Sequence, residues 1–348
     1  MANMKDIADK ANVSIATVSK VLNGIGGISS ETTELVLSIA EELNYRPNLY
    51  ARNLKKGQSH SLGIISEDIT VFNTPPIIDG IGACCEERNY HYLLENLRLH
   101  KLNIDPILHA GKYNQLTDEA IDLMLSMQVD GIIYLSCHSH KVLAHPLNQN
   151  IPFVCAYCSS PSLSIPSLLY DDRKAAYEAT GLLIRQGHER IGCVTGSSDS
   201  IHMRNRLTGY QEALFENDIP YNPHLTIQGD WNRDSGYQAA EKLLKQNVTA
   251  IFCHNDIMAM GIIDYCTKQG IEIGRDLALI GFDNLEISTV CRPTLSTVEL
   301  PLFDIGHGSA RILIDKIEGT KEPAIGEIYL DCQIIEREST QLYRKKRA

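Results

Sequence analysis

The chain has 348 residues, 43% of them hydrophobic and 22% charged, with a formal net charge of −11. That is an ordinary globular composition, long enough for two or three domains with buried cores. No apolar run reaches the roughly 18–20 residues of a spanning helix, and the first residues lack the uninterrupted apolar segment of a secretory signal, so membrane and exported readings are set aside.

The opening segment departs from the overall acidity. Through residue 60 there are seven Lys and Arg against six Asp and Glu, and residues 46–56 (RPNLYARNLKK) hold four basic side chains and no acid. Such a local basic stripe is what phosphate neutralisation requires, whatever the charge of the whole chain. The first 45 residues read as three short helices. Asn3 is an N-cap with Asp6 three residues on, and Ile7, Ala8 and Ala11 mark one apolar face. Asn12 suits a left-handed turn. Ser14 caps a second helix whose Val18, Val21 and Leu22 face inward, with Ala16, Ser19, Lys20 and Asn23 opposite them. Ser29 starts a third helix with Leu35, Val36, Ile39, Ala40 and Leu43 on one stripe, and Asn44 ends it. Two helices joined by a short turn form a helix-turn-helix pattern, although a protein-binding three-helix module would show the same core.

From residue 61 the texture changes. SLGIIS, HYLLE, VDGIIYL, IPFVCAY, RIGCVTG, TAIFCH and LALIGF are short apolar runs of the kind buried on both faces of a parallel sheet. Helix-length amphipathic stretches such as EAIDLMLSM, RKAAYEATGLLIRQG and GYQAAEKLLKQ separate them. The alternation predicts a doubly wound α/β architecture, and about 280 residues of it predict two such units. The ten cysteines lie scattered, which fits reduced thiols and a cytoplasmic protein. The basic end, Arg344 to Arg347, reads as a solvated tail.

MKDIADKANVSIATVSKVLNG followed by ISSETTELVLSIAEELNYRPNLYARNLKKGQSHSLGIIS resembles the N-terminus of the lac repressor (LacI/GalR) family of bacterial transcriptional regulators. Further matches are DGI at 79–81, DDRKAAYEAT at 171–180, GHERI at 187–191, RNRLTGY at 204–210, GDW at 229–231, HNDIMAMG at 254–261 and IGFDN at 280–284. The resemblance implies an all-α helix-turn-helix headpiece over 1–46, a hinge helix and linker over 47–58, and an α/β two-lobed, periplasmic-binding-protein-like core for effector binding and dimerisation over 59–338. Its first lobe would take about 61–160 and 294–322, its second about 161–293 and 323–338, leaving 339–348 as a basic tail. Asn12 and Asn44 stand where the family usually has glycine, and both keep access to left-handed backbone. The loop after the first core strand reads Asp68-Ile69-Thr70-Val71-Phe72-Asn73-Thr74, so two positions usually aromatic in the family are Asn73 and Thr74.

By the same resemblance the helix after Ser14 enters the major groove. Ile15 and Ala16 occupy its main base-reading positions and, being apolar, suit thymine methyls. Lys20 suits a guanine or a phosphate, while Ser14, Thr17, Asn23 and Ser29 suit the backbone. In the hinge, Asn48, Ala51 and Lys55 meet DNA with Lys56 beside them, and Leu54 wedges into a base step of a palindromic operator held by a homodimer. The effector would lie beyond the carboxyl ends of the strands, touched by Asp68, Phe72 and Asn73 from the first lobe and by Arg206, Trp231, Asn255 and Asp283 from the second. A sugar or glycoside inducer is the first expectation, and a purine or sugar-phosphate corepressor the alternative.

Other classes find less support. Cys137-His138-Ser139-His140 and Cys155-Ala156-Tyr157-Cys158 carry zinc-like ligand types but no matched second pair, so no metal is expected. No cofactor is expected and no catalytic residue is assigned, since G-x-G-x-x-G after the first core strand, a Walker motif and G-x-S-x-G are all absent. A free-standing solute receptor would need export and would not carry the first sixty residues. After Glu338 no leucine heptad follows, so a dimer is expected and no tetramerising coil.

Overall fold

The computed structural model describes residues 2–22, 24–45, 59–138, 140–142, 151–322 and 324–341. Asn23, the hinge residues Asn48, Ala51, Leu54, Lys55 and Lys56, and Arg344 to Arg347 lie outside the described residues. The chain divides into two compact units, Met1–His60 and Ser61–Ala348.

In the first unit α1 (Met4–Ala11), α2 (Ile15–Leu22) and α3 (Ser30–Glu42) surround one small core. Each helix start carries its own signal. Asn3 Oδ1 accepts the Lys5 and Asp6 amides while Asp6 accepts the Asn3 amide, a reciprocal box. Ser14 accepts the Thr17 amide at 3.1 Å, and Ser29 that of Thr32 at 3.3 Å. Asn12 and Asn44 both take left-handed backbone, φ 52° and 47°. Ile7, Val18, Val21, Val36 and Ile39 are buried. Leu35, expected on the inner stripe of α3, is instead 46% exposed. Val36, Ile39 and Ala40 satisfy the narrow contact with α1 and α2, and Leu35 lies one position outside that arc.

The second unit holds two parallel sheets and a small antiparallel one. The first sheet has six strands in the order β11-β5-β4-β3-β1-β2: β1 (Ser61–Ser66), β2 (His91–Asn96), β3 (Gly131–Leu135), β4 (Phe153–Ala156), β5 (Ser167–Tyr170) and β11 (Glu327–Leu330). The second has four in the order β7-β6-β8-β9: β6 (Ile191–Thr195), β7 (Thr226–Gln228), β8 (Ala250–Cys253) and β9 (Ala278–Ile280). A two-stranded sheet pairs β10 (Thr297–Glu299) with β12 (Gln333–Ile335). On the first sheet pack α4 (Thr74–Arg88), α5 (Ala110–Ser126) and α11 (Leu302–Glu318). The second carries α6 (Asp172–Arg185), α7 (Ile201–Glu216), α8 (Arg233–Leu244) and α9 (Asp256–Gln269), with short α10 (Ile287–Val290) and α12 (Glu338–Gln341) beyond.

Three expectations need correction. Residues 167–170 and 327–330, placed with the second lobe, hydrogen-bond into the first sheet, where Leu168 pairs with both Ala156 and Ile328. The chain therefore changes lobe after β5, after β10 and after β11. HYLLE, read as a strand buried on both faces, forms the edge strand β2 with Tyr92 and Leu94 exposed. Finally, the tail does not begin at 339. Ser339 and Thr340 are buried, Ser339 donating to the Leu279 carbonyl at 2.6 Å and accepting the Ser296 amide at 2.7 Å.

Candidate functional site

On the first unit, Ser14, Ile15, Ala16 and Lys20 form one exposed strip of α2 opposite buried Val18 and Val21, with Thr17 half-buried at its side. Ile15 is 48% exposed, as are Ile25, Leu35 and Leu37 of the same unit to a similar degree. Ser14 and Ser29 are already occupied as helix caps, and Ser14 also bonds the Thr17 hydroxyl at 2.9 Å.

In the second unit, parallel strands bring all their carboxyl ends to one side of each sheet, and the candidate residues follow those ends. Arg206, one turn into α7, is buried and anchors the second-lobe group. Its Nε donates to Asp172 at 2.7 Å and its Nη2 to the Tyr170 hydroxyl at 2.9 Å, while its Nη1 donates to the His254 carbonyl. The guanidinium lies 3.6 Å from the Phe282 ring centroid and 5.8 Å from that of Trp231, and Asp283 stands 3.6 Å from Nη2. Tyr170 comes from the first sheet, so this hydroxyl joins the two lobes. Its ring stacks on His202 at 5.8 Å, and Tyr157, after β4, packs against both.

The carboxylates around Arg206 divide sharply. Burial opposes ionisation of Asp172, but the charges and hydrogen bonds of His202 (2.6 Å) and Arg206 outweigh it and bring the group to about 2. Burial pushes Asp283 up to about 8, Arg206 offsetting only part and the neighbouring Asp256 and Asp172 adding to it. Burial likewise raises Asp256 to about 7, against hydrogen bonds from Thr297 and the Leu285 amide. Asp283 also sits at φ 103°, strained for a non-glycine residue.

Trp231 follows β7 with φ 72°. Asn255 caps α9 through the Met258 amide and donates its side-chain amide to the Trp231 carbonyl at 3.0 Å, so it fixes the tryptophan. One indole edge lies on Gly196. A Cβ there would come within 1.9 Å of the ring, so only glycine permits this seat.

The first lobe is organised differently. Both oxygens of Asp68 are taken from within, Oδ1 by the Thr70 amide and hydroxyl and Oδ2 by the His100 amide. Burial would raise this carboxyl, but those hydrogen bonds lower it. Asn73 is fully buried at the start of α4 and donates to the Cys137 carbonyl at 3.2 Å, leaving its Oδ1 unpartnered. Phe72 beside it is 44% exposed.

Thus Arg206, Trp231, Asn255 and Asp283 meet in one group, whereas Asp68 and Asn73 brace loops of the opposite wall. Sequence reasoning missed Tyr157, Tyr170, Asp172, His202, His254 and Phe282. Asp172, His254 and Phe282 lie inside motifs already quoted, and the signal for them was adjacency to Arg206 across the fold. Among the described residues no group of three or more His, Cys, Asp or Glu is placed to hold a metal, and no helix is long and apolar enough to cross a membrane.

Comparison with known proteins adds three findings. Residues 3–48 match the family model for bacterial regulatory proteins of the lacI family, and 180–340 match a periplasmic binding protein-like domain. The chain is 33% identical over 343 residues to the HTH-type transcriptional repressor CytR of Escherichia coli K12, covering 98% of this chain and 96% of that one. It is 35% identical over 312 residues to catabolite control protein A of Priestia megaterium, covering 88% and 90%. In structure it superposes on the Lac repressor bound to ONPG in the repressed state with a TM-score of 0.80, covering 97% and 99% at 24% identity, a likeness of fold.

Proposed function

Because the chain belongs to the lacI family of bacterial regulatory proteins, we propose that it represses transcription from a palindromic operator, and that a small ligand between the core lobes alters its hold on DNA. The exposed strip of α2 carries the DNA half of this reading. Ile15 and Ala16 offer methyl and aliphatic surface to thymine methyls, Lys20 a charge to guanine or phosphate, and Ser14, Thr17, Asn23 and Ser29 short polar groups to the backbone. Asn48, Ala51, Leu54 and Lys55 would supply the hinge contacts, Leu54 as the wedge. Leu54→Ala is expected to weaken specific binding far more than non-specific binding in a gel-shift titration. Equal losses would reject the wedge.

For the effector the carrying observation is the state of Arg206. Its charge is already matched by Asp172, and Asp283 beside it is held largely neutral, so the group offers hydrogen bonds and a flat indole with little net charge. That favours a neutral, hydroxyl-rich ligand, a sugar or glycoside acting as inducer, over a sugar-phosphate. Relatives include a ribose operon repressor and a CelR–cellobiose complex, but also a repressor named PurR, which keeps a purine corepressor as the second reading. Trp231 emission titrated with D-ribose and cellobiose tests this, and a sugar that by calorimetry binds Trp231→Phe protein as well as wild type removes the indole, the chain's one tryptophan, from the site.

A homodimer acting in the cytoplasm completes the proposal. Among the described residues no strand pairs with the outer side of β2, which supports it, with Tyr92 and Leu94 exposed next to a groove of about 390 Å³ lined by Asp79, Gly82, Glu86 and Tyr92. Tyr92→Glu should shift sedimentation toward monomer. An unchanged dimer would place the interface elsewhere.

A further inference from the structure

The deepest charge in the first lobe belongs to a residue with no role so far. Glu67 directly follows β1 and is 1% exposed, yet its carboxylate receives donors from three parts of the fold. Oε1 accepts the Tyr134 hydroxyl of β3 at 3.1 Å, the Tyr113 hydroxyl of α5 at 3.3 Å and His140 Nε2 at 2.7 Å. Oε2 accepts the Ser136 hydroxyl at 2.7 Å and the Cys137 amide at 3.1 Å. His140 Nδ1 in turn lies 3.2 Å from the Lys141 carbonyl. With Glu67 ionised, both ring nitrogens of His140 face acceptors, an arrangement that the doubly protonated imidazolium satisfies.

What the pair holds is the start of the connection leaving β3, at residues 136–138 and 140–142. The Ser136 hydroxyl, whose one proton goes to Glu67, also lies 2.5 Å from the His138 carbonyl oxygen and accepts the His138 amide at 3.2 Å. Val142 continues the connection by donating to the Ser159 carbonyl at 2.9 Å. Cys137 and His138 stand at the carboxyl end of β3, and His138 feels the charge of His202 on the second lobe. We propose that Glu67 and His140 form a proton-operated clasp on the first-lobe wall, holding Cys137 and His138 in place only while the imidazole carries both protons.

The electrostatic surroundings agree. Burial opposes the charge of Glu67, but the charge and hydrogen bond of His140, with Ser136 and Cys137, bring it to about 2. His140 is pulled down by burial and raised overall by Glu67, the Lys141 carbonyl and Asp105. Near the pair, Tyr113, Tyr134, Cys137 and Cys158 are all raised by burial and by Glu67, so they stay neutral. His138 is lowered by burial and then by His202, Glu67 opposing this and His140 and His100 adding to it. His140 is thus the member that titrates. A histidine raised on folding holds its contribution below the free value and loses it as pH climbs through the raised one, so the clasp opens on the alkaline side.

Hydrogen exchange of peptides spanning 131–142, measured on the full chain at pH 6 and pH 9 and corrected for intrinsic rates, reads the clasp directly. Expected is a several-fold loss of protection at pH 9 in the wild type, absent in His140→Gln, which is already open at both values. Glu67→Gln gives the same result if it folds, and His140→Gln keeps the test intact if it does not. Histidine-selective NMR, with His140 assigned by its loss in that variant, should place its midpoint above 6.5. Protection independent of pH in the wild type, or a midpoint at or below 6.5, overturns the clasp. Neither measurement needs a ligand. The clasp's bearing on effector binding rests on the cleft reading above, and that reading stands or falls separately on Trp231 emission.

Discussion

Two strand ends, one in each lobe, place an acid in a buried site with opposite results. After β1, Glu67 sits at about 2, and after β9, Asp283 sits at about 8. Burial raises both, so burial does not distinguish them. The difference lies in the counter-charge and the donors together. Glu67 faces the Tyr113, Tyr134 and Ser136 hydroxyls, the Cys137 amide and thiol, and a histidine counter-charge, whereas Asp283 has one guanidinium at 3.6 Å that Asp172 already claims. Asp256 accepts a hydroxyl and an amide and is still raised, so a buried carboxylate ionises where a cationic partner joins the hydrogen bonds, as His140 does for Glu67. The first wall is thereby braced from within, and the second retains an acid able to donate a hydrogen bond to a ligand.

The contrast can be broken most forcefully at Asp172. Asp172→Ala leaves Arg206 buried without its partner and is expected to cost about 3–5 kcal/mol in denaturant unfolding. In the same variant Asp283 should drop toward ionisation, as seen by carboxyl NMR, because a raising charge is gone and Arg206 is freed; an unmoved Asp283 would mean that these charges do not control it. Next in size is a pH effect. Asp283 and Asp256 are raised from 3.8 to about 8 and about 7, so the folded core holds these protons more tightly than the unfolded chain. Their contribution is full below pH 4 and is lost as pH climbs through 7 to 8. The melting temperature of the core should fall between pH 5 and pH 9, with a shallower fall in Asp283→Asn. An equal slope in both proteins contradicts the assignment. Gly196→Ala drives a methyl into Trp231 and should cost about 1–3 kcal/mol with a shift in indole emission. The smallest effect, about 1 kcal/mol, is expected for Asn255→Ala, which loses the α9 cap together with the tether on Trp231.

Short-range features were the most legible in the sequence. Asn3, Ser14 and Ser29 cap where their side chains reach amides two or three residues on, and Asn12 and Asn44 turn where expected. Uninterrupted apolar runs gave away β1, β3, β4, β6, β8 and β9. The short β5 follows a Ser- and Pro-containing stretch, and β11 alternates exposed and half-buried residues, so neither reads as a buried run. Which lobe each joins is decided by pairing over long separations, Leu168 with Ile328 for example, which no local pattern carries. At the site, motif residues Arg206, Trp231, Asn255 and Asp283 were found together. Asp68 looked equally available, because nothing local tells that the His100 amide, 32 residues on, fills it. Glu67 and His140 lie 73 residues apart, and the histidine was read only as a metal candidate.

The most direct test is equilibrium binding of the full chain to symmetric duplexes recovered by genomic footprinting, at fixed salt, against scrambled competitor and with D-ribose or cellobiose added. Expected is a preference of at least about 10³ for the symmetric site, reduced by a sugar that also changes Trp231 emission. Equal affinity for symmetric and scrambled duplexes, with and without sugar, would contradict it.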